Sequence, residues 1–179
     1  MNCKKLKARF VARGFSQKEG VDYDEIFAPV ARYTTIRSII ALAALQGWNL
    51  HQMDVKTAFL HGSIKEEVYV EQPEGFEVRD QESHVCRLKK ALYGFRKSSR
   101  AWYERIDSYL TKLRFTRSEA DLNLYFKVEN DKPLILVLYV DGLFLIGENP
   151  LIYQSKRELT FELEMKDLDL MHYILGLEV

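Results

Sequence analysis

The 179-residue chain is poor in most features that mark a specialised class of protein. Its two cysteines, Cys3 and Cys86, stand far apart and match no metal or redox spacing. That excludes a disulfide scaffold or a zinc module and reads as two reduced thiols of an intracellular protein. Four prolines and nine glycines exclude collagen-like and linker-like composition. The longest apolar stretch, residues 134–147, contains Asp141 and falls short of the roughly 20 residues that a membrane span needs, so no membrane is expected as a partner. The basic opening is not that of a signal peptide. A glycine-rich phosphate loop and a Ser/His/Asp set are both missing, and His51, His61, His84 and His172 have no ligand spacing.

What is there is the composition of a globular domain, 47% hydrophobic and 29% charged, with zero net charge unevenly spread. Residues 1–18 hold Lys4, Lys5, Lys7, Arg9, Arg13 and Lys18 and no acid. Residues 87–117 are strongly basic, opposed only by Glu104 and Asp107. Between them, residues 66–82 are acidic apart from Arg79. Each basic block is either a solvated face or part of a path for a polyanion. Tyr93, Phe95, Trp102 and Tyr103 lie in the second block and are candidates to stack on bases, although amphipathic helices also set aromatics beside lysines.

Period-two alternation over residues 5–13 predicts a strand with Lys5, Lys7, Arg9 and Arg13 on one face. A helix is expected from Thr34 or Thr35 to about Gln46, ended by Gly47, and another over residues 99–113. Short strands are expected at 50–54, 68–71 and 84–88. Residues 124–128 and 134–140 read as strands joined by Asn130-Asp131, with a further strand at 143–146. A helix over 152–164 and a last strand over 172–179 complete an α+β order rather than a doubly wound parallel sheet.

Asp54 and Asp141 are carboxylates set among apolar residues, a costly placement unless they are paired or bind a cation. Brought together, they would favour a hard cation such as Mg²⁺ and chemistry of the two-metal kind. Asp54 reads equally as a strand-end or cap carboxylate, whereas spacing alone favours Asp141-Gly142 as a two-residue hairpin turn.

Seven stretches, in order, resemble the reverse transcriptase domain of copia-type LTR retrotransposon Pol polyproteins over essentially the whole chain. They are Lys7-Ala-Arg-Phe-Val-Ala-Arg-Gly14, Phe27-Ala-Pro-Val-Ala-Arg32, His51-Gln-Met-Asp-Val-Lys-Thr-Ala-Phe-Leu-His-Gly62, Val70-Glu-Gln-Pro-Glu-Gly-Phe76, Cys86-Arg-Leu-Lys-Lys-Ala-Leu-Tyr-Gly94, Arg100-Ala-Trp-Tyr103 and Leu138-Tyr-Val-Asp141.

The resemblance implies a single domain over 1–179 with a right-hand polymerase fold. Its fingers would be 1–48 and 66–95, its palm 49–65 and 96–179 with an antiparallel sheet and packed helices, and the thumb would be absent. It implies an RNA-directed DNA polymerase that adds nucleotides to a primer 3′-hydroxyl, with Asp54 and Asp141 as catalytic, Mg²⁺-binding aspartates and Mn²⁺ as a substitute. Phe59, Tyr93 and Gly94 would lie against the incoming nucleotide, Lys7 and Arg9 would contact its triphosphate, and Lys166 is a candidate proton donor to pyrophosphate. Expected partners are an RNA or DNA template-primer, deoxynucleoside triphosphates and the ribonuclease H and integrase of a Pol polyprotein. The expected location is a cytoplasmic particle and the nucleus.

Four positions depart from the family pattern. Gly142 replaces the second aspartate of Tyr-x-Asp-Asp, Ser99 a usual proline, and Arg114 and Asp169 usual glycines. They point to an impaired copy, or to a non-catalytic nucleic-acid-binding remnant of a decayed element.

Overall fold

The computed structural model describes residues 10–20, 23, 29–64 and 67–179. They form two compact units. One holds the described residues within 1–27 together with Phe59–Arg105, the other those within 28–58 together with Ile106–Val179. The elements in chain order are α1 (Tyr33–Gln46), β1 (Asn49–Val55), β2 (Tyr69–Glu71), β3 (Val85–Arg87), α2 (Ser98–Lys112), β4 (Thr116–Arg117), β5 (Leu124–Glu129), β6 (Lys132–Tyr139), β7 (Gly142–Gly147), α3 (Asn149–Glu162), β8 (Met165–Leu170), β9 (Tyr173–Ile174) and β10 (Leu177–Glu178). The result is a mixed fold of helices and mainly antiparallel sheet. No helix among the described residues is long and apolar enough to cross a membrane.

The second unit is built on a six-stranded sheet in the order β4-β5-β6-β7-β1-β8, all neighbours antiparallel. Cross-strand partners share a face, so the pairing sorts the side chains. One face carries the rows Met53–Leu143–Leu138 and His51–Leu145–Leu136–Tyr125, all buried. Burying each such leucine stabilises the fold by roughly 1.5–3 kcal/mol. On this side the Tyr109 hydroxyl of α2 donates to the Glu158 carbonyl of α3 at 2.6 Å. The Tyr125 hydroxyl donates to Asp107 of α2 at 2.9 Å. The opposite face carries Ile135, Val137, Phe144 and Ile146, which cluster with Ile36 and Ala43 of α1, Met171, and Ile174 of β9.

Local chemistry accounts for most element ends. Gly47 closes α1 in the left-handed region at φ 64°, as expected. Asn130 and Asp131 both take positive φ and join β5 to β6 in a two-residue hairpin. α2 ends in a Schellman turn: the Phe115 amide donates to Leu110 and the Arg114 amide to Thr111, with Arg114 at φ 65°. Pro150 sits in the first turn of α3, which therefore starts at Asn149, before the expected residue 152.

Other expectations need correcting. β8 had not been foreseen, because Met165–Leu170 mixes charges with apolar residues and is largely exposed. Residues 172–179 are not one strand: Leu175 and Gly176 take φ 48° and 80° and fold β9 back on β10. The basic strand over 5–13 lies largely outside the described residues; within 10–13, Val11 bridges Tyr93. The α1 cap is neither Thr34 nor Thr35 but Arg32, whose side chain makes no cap bond.

That helix start is held from 89 residues away. One Asp121 carboxylate oxygen accepts from the Arg32 amide at 2.9 Å and the Thr35 hydroxyl at 2.7 Å, and the other from the Asn123 amide at 3.0 Å. Burial works to raise the pKa of this carboxyl, and the bonds from Thr35, Arg32 and Asn123 outweigh it, leaving it lowered. A carboxyl whose folded pKa is depressed adds stability above its unfolded pKa and loses it as pH falls through the folded value. Asp121→Ala is expected to cost roughly 1–2 kcal/mol near neutrality. In urea titrations, the gap between parent and variant narrows on acidification below about pH 4; a gap independent of pH would contradict this role.

Candidate active site

Asp54 stands one residue from the end of β1, the strand between β7 and β8. It pairs with Gly142 on one side and Lys166 on the other, so a single cross-strand row reads Lys166–Asp54–Gly142–Tyr139. Asp141 lies one step away in the two-residue β6–β7 turn, where its carbonyl accepts from the Val55 amide at 2.9 Å. Asp54 and Asp141, the two residues that the sequence singled out, are thus brought next to each other, on a strand and on the adjoining turn, 87 positions apart in the chain. Among the described residues no cluster of three or more His, Cys, Asp or Glu is placed to hold a metal.

The turn is not the Asp-Gly hairpin the sequence allowed. Tyr139 pairs with Gly142, so its central residues are Val140 and Asp141, and it is Val140 that takes φ 59°. Positive φ on a β-branched residue costs on the order of 1–3 kcal/mol and persists only where the surroundings enforce it. Here the Val140 amide donates to the Pro29 carbonyl at 2.7 Å, and Val30 bridges Tyr139. Gly142 itself is ordinary strand. A Cβ built on it would come no closer than 3.4 Å to the Tyr139 carbonyl, a normal contact. Neither conformation nor space demands glycine there.

The other unit holds Phe59, Tyr93 and Gly94. The rings of Phe59 and Tyr93 meet edge to face, centroids 5.0 Å apart. Gly94, at φ 84°, and Gly14 permit a close backbone approach: a Cβ on Gly94 would lie 2.3 Å from the Ala12 carbonyl, and one on Gly14 1.8 Å from the Gly94 carbonyl. Ala12, Gly14, Phe59, Gly94, Arg96 and Ser98 are among the residues that line a cavity of about 460 Å³. Lys7 and Arg9 lie outside the described residues.

Two of the aromatic stacking candidates are ruled out: Trp102 is fully buried and Tyr103 nearly so, as core of α2. Gly62 lets its loop approach that helix closely, since a Cβ on it would lie 2.8 Å from the Ala101 Cβ.

Sequence reading also missed a buried polar group behind the sheet. Lys156 of α3, 5% exposed, places its Nζ 2.8 Å from His51 Nδ1 and 2.6 Å from Asp167 Oδ1. Burial and then the Lys156 charge lower the His51 pKa, which favours the neutral ring beside the ammonium. For Asp167, burial raises the pKa but is outweighed by the bonds from Lys156 and the Asp169 amide, and the net shift is downward. A lysine inside an otherwise amphipathic helix gave no signal that it was buried.

The structure thus sets Asp54 on a central strand of an antiparallel sheet, beside the turn that carries Asp141. The sequence comparisons then fix the family. The model of the family described as reverse transcriptase (RNA-dependent DNA polymerase) matches residues 2–179, and the chain belongs to that family.

The chain is 44% identical over 99% of its length to the retrovirus-related Pol polyprotein from transposon TNT 1-94 of Nicotiana tabacum. It is 37% identical over 97% of its length to that from transposon RE1 of Arabidopsis thaliana. Against the Ty1-BL Gag-Pol polyprotein of Saccharomyces cerevisiae identity is 29% over 97%. The chain spans 14%, 12% and 10% of those relatives' lengths. No solved structure matches significantly.

The departures from the family pattern now separate physically. Arg114 and Asp169, where the resemblance led to an expectation of glycine, both sit at positive φ, 65° and 60°. Ser99 falls in the first turn of α2, where proline is tolerated. Arg114→Gly and Asp169→Gly are each expected to stabilise the chain by roughly 0.5–1 kcal/mol in chemical denaturation. Gly142→Ala, which adds only a Cβ, should cost no more than about 1 kcal/mol, whereas Gly94→Ala should cost more than about 2 kcal/mol. If Gly142→Ala destabilised as Gly94→Ala does, the glycine would have to be structural.

Proposed function

We propose that this chain is the nucleotidyl-transfer domain of a copia-type Pol polyprotein, with Asp54 and Asp141 as its metal-binding carboxylates, and that Gly142 impairs it. The observation that carries the reading is the row Lys166–Asp54–Gly142, next to Asp141 on the adjoining turn. Two carboxylates suit Mg²⁺, which is commonly held by one or two carboxylates plus substrate phosphates. When bound, such ions activate the primer 3′-hydroxyl and neutralise the leaving pyrophosphate, and Mn²⁺ can serve in the same place.

The chain's own groups take the remaining roles. Lys166, opposite Asp54, is assigned proton donation to the pyrophosphate. Phe59 is assigned the check on the sugar 2′ position, where an aromatic ring excludes a hydroxyl by volume. Tyr93 and Gly94 are assigned contact with the nucleotide and template, and Lys7 and Arg9 with the triphosphate. Template-primer, deoxynucleoside triphosphates and the ribonuclease H and integrase regions of a polyprotein are the partners this reading entails.

A third carboxylate at 142 would stand directly across from Asp54, and its loss removes a negative charge from beside two divalent cations. Losing about 3–4 kcal/mol of transition-state stabilisation corresponds to a rate drop of about 10²–10³. Primer extension on an RNA template with Mg²⁺ and with Mn²⁺ tests this. Gly142→Asp is expected to raise the rate by that factor, and Asp54→Ala in the restored background to abolish it. Equal rates for natural and restored chains would overturn the claim of impairment. Tight template-primer binding without extension by either would favour the second reading, a nucleic-acid-binding remnant that uses the basic blocks without the chemistry.

A further inference from the structure

The pairing of β8 with β1 carries a one-residue irregularity between His51 and Met53. On one side His51 pairs with Leu170; on the other Met53 pairs with Asp167, Asp54 with Lys166 and Val55 with Met165. One extra residue is thus absorbed on β8 around Leu168 and Asp169, and Asp169 takes φ 60° there. A one-residue shift in register exchanges the two faces of a strand. Were the His51–Leu170 register continued without the bulge, Asp167 would stand opposite Asp54 and Lys166 would turn to the helix-covered face. The bulge therefore decides whether a cation or a third anion faces Asp54.

The bulge is tied down by the buried group behind the sheet. One Asp167 oxygen accepts both the Asp169 amide at 2.9 Å, across the bulge, and the Lys156 ammonium at 2.6 Å, from α3. The same ammonium lies 2.8 Å from His51 Nδ1 on β1. Three elements meet at one buried charge just where the register changes. The far face of Asp167 in the bulged register is the face of Met53, its partner, which is also the face of His51.

We propose that Lys156 is a positioning residue: by holding Asp167 beside His51 it fixes the β8 bulge and so sets Lys166, not Asp167, opposite Asp54. The consequence for catalysis rests on the proposed roles of Asp54 and Lys166; the control of register does not.

The register can be read by disulfide formation in a background with Cys3 and Cys86 replaced by serine. Asp54→Cys with Lys166→Cys reports the bulged register, and Val55→Cys with Lys166→Cys the slipped one. Lys156→Met is expected to slow crosslinking of the first pair by about tenfold and to speed that of the second. Should Lys156→Met fail to fold, Asp167→Ala, at a half-exposed acceptor, is expected to give the same exchange. Unchanged crosslinking of both pairs in the folded variant overturns the proposal.

Primer extension by the Gly142→Asp chain adds the second arm. There Lys156→Met should lower kcat as Lys166→Ala does, with KM for nucleotide little changed. Crosslinking that shifts while extension does not would leave the register control standing and remove the role assigned to Lys166.

Discussion

The metal site proposed for this chain depends on the register of one central strand. β1 is paired on both sides, and a slip of one residue against either neighbour would exchange its buried and exposed faces. With the observed pairing, His51, Met53 and Val55 are buried, and Asp54 shares a row with Gly142 and Lys166. The leucine rows of β6 and β7 fix one side of that register by apolar burial. A bulge stapled through Asp167 fixes the other, so the two sides are set by different kinds of force.

Much of this was legible in the sequence because it is local. The apolar period of α1 and α2, Gly47 as a stop, and Asn130-Asp131 as a hairpin all follow from backbone chemistry that neighbours in the chain decide. That Asp54 lies beside the Asp141 turn was legible only through the family motifs, since no local rule brings together residues 87 positions apart.

What escaped was tertiary. Val140 at positive φ contradicts every turn preference and is imposed by its bond to Pro29. The cap of α1 comes from Asp121 rather than from its own threonines. Trp102 looks available among basic residues until the helix buries it, and β8 is too exposed to show an apolar pattern.

The departures from the family pattern also divide into two kinds. Arg114 and Asp169 occupy left-handed backbone that glycine adopts without strain, so these changes weaken the fold by increments. Gly142 is the reverse case: glycine stands in ordinary strand with room for a Cβ, so backbone geometry does not demand it and the proposed chemistry is what its change would touch. A copy released from selection would collect both kinds. Asp54 is paired on both sides, which is what the proposed centre, one carboxylate short, requires.

The central claim is that the missing carboxylate at 142 belongs to a metal site held by Asp54 and Asp141. Paramagnetic Mn²⁺ binding, followed by electron spin resonance in the presence of a deoxynucleoside triphosphate and template-primer, addresses it without needing turnover. The account predicts that Gly142→Asp tightens binding by about tenfold or more, and that Asp54→Ala removes the gain. Equal Mn²⁺ affinity in the natural and restored chains would contradict it.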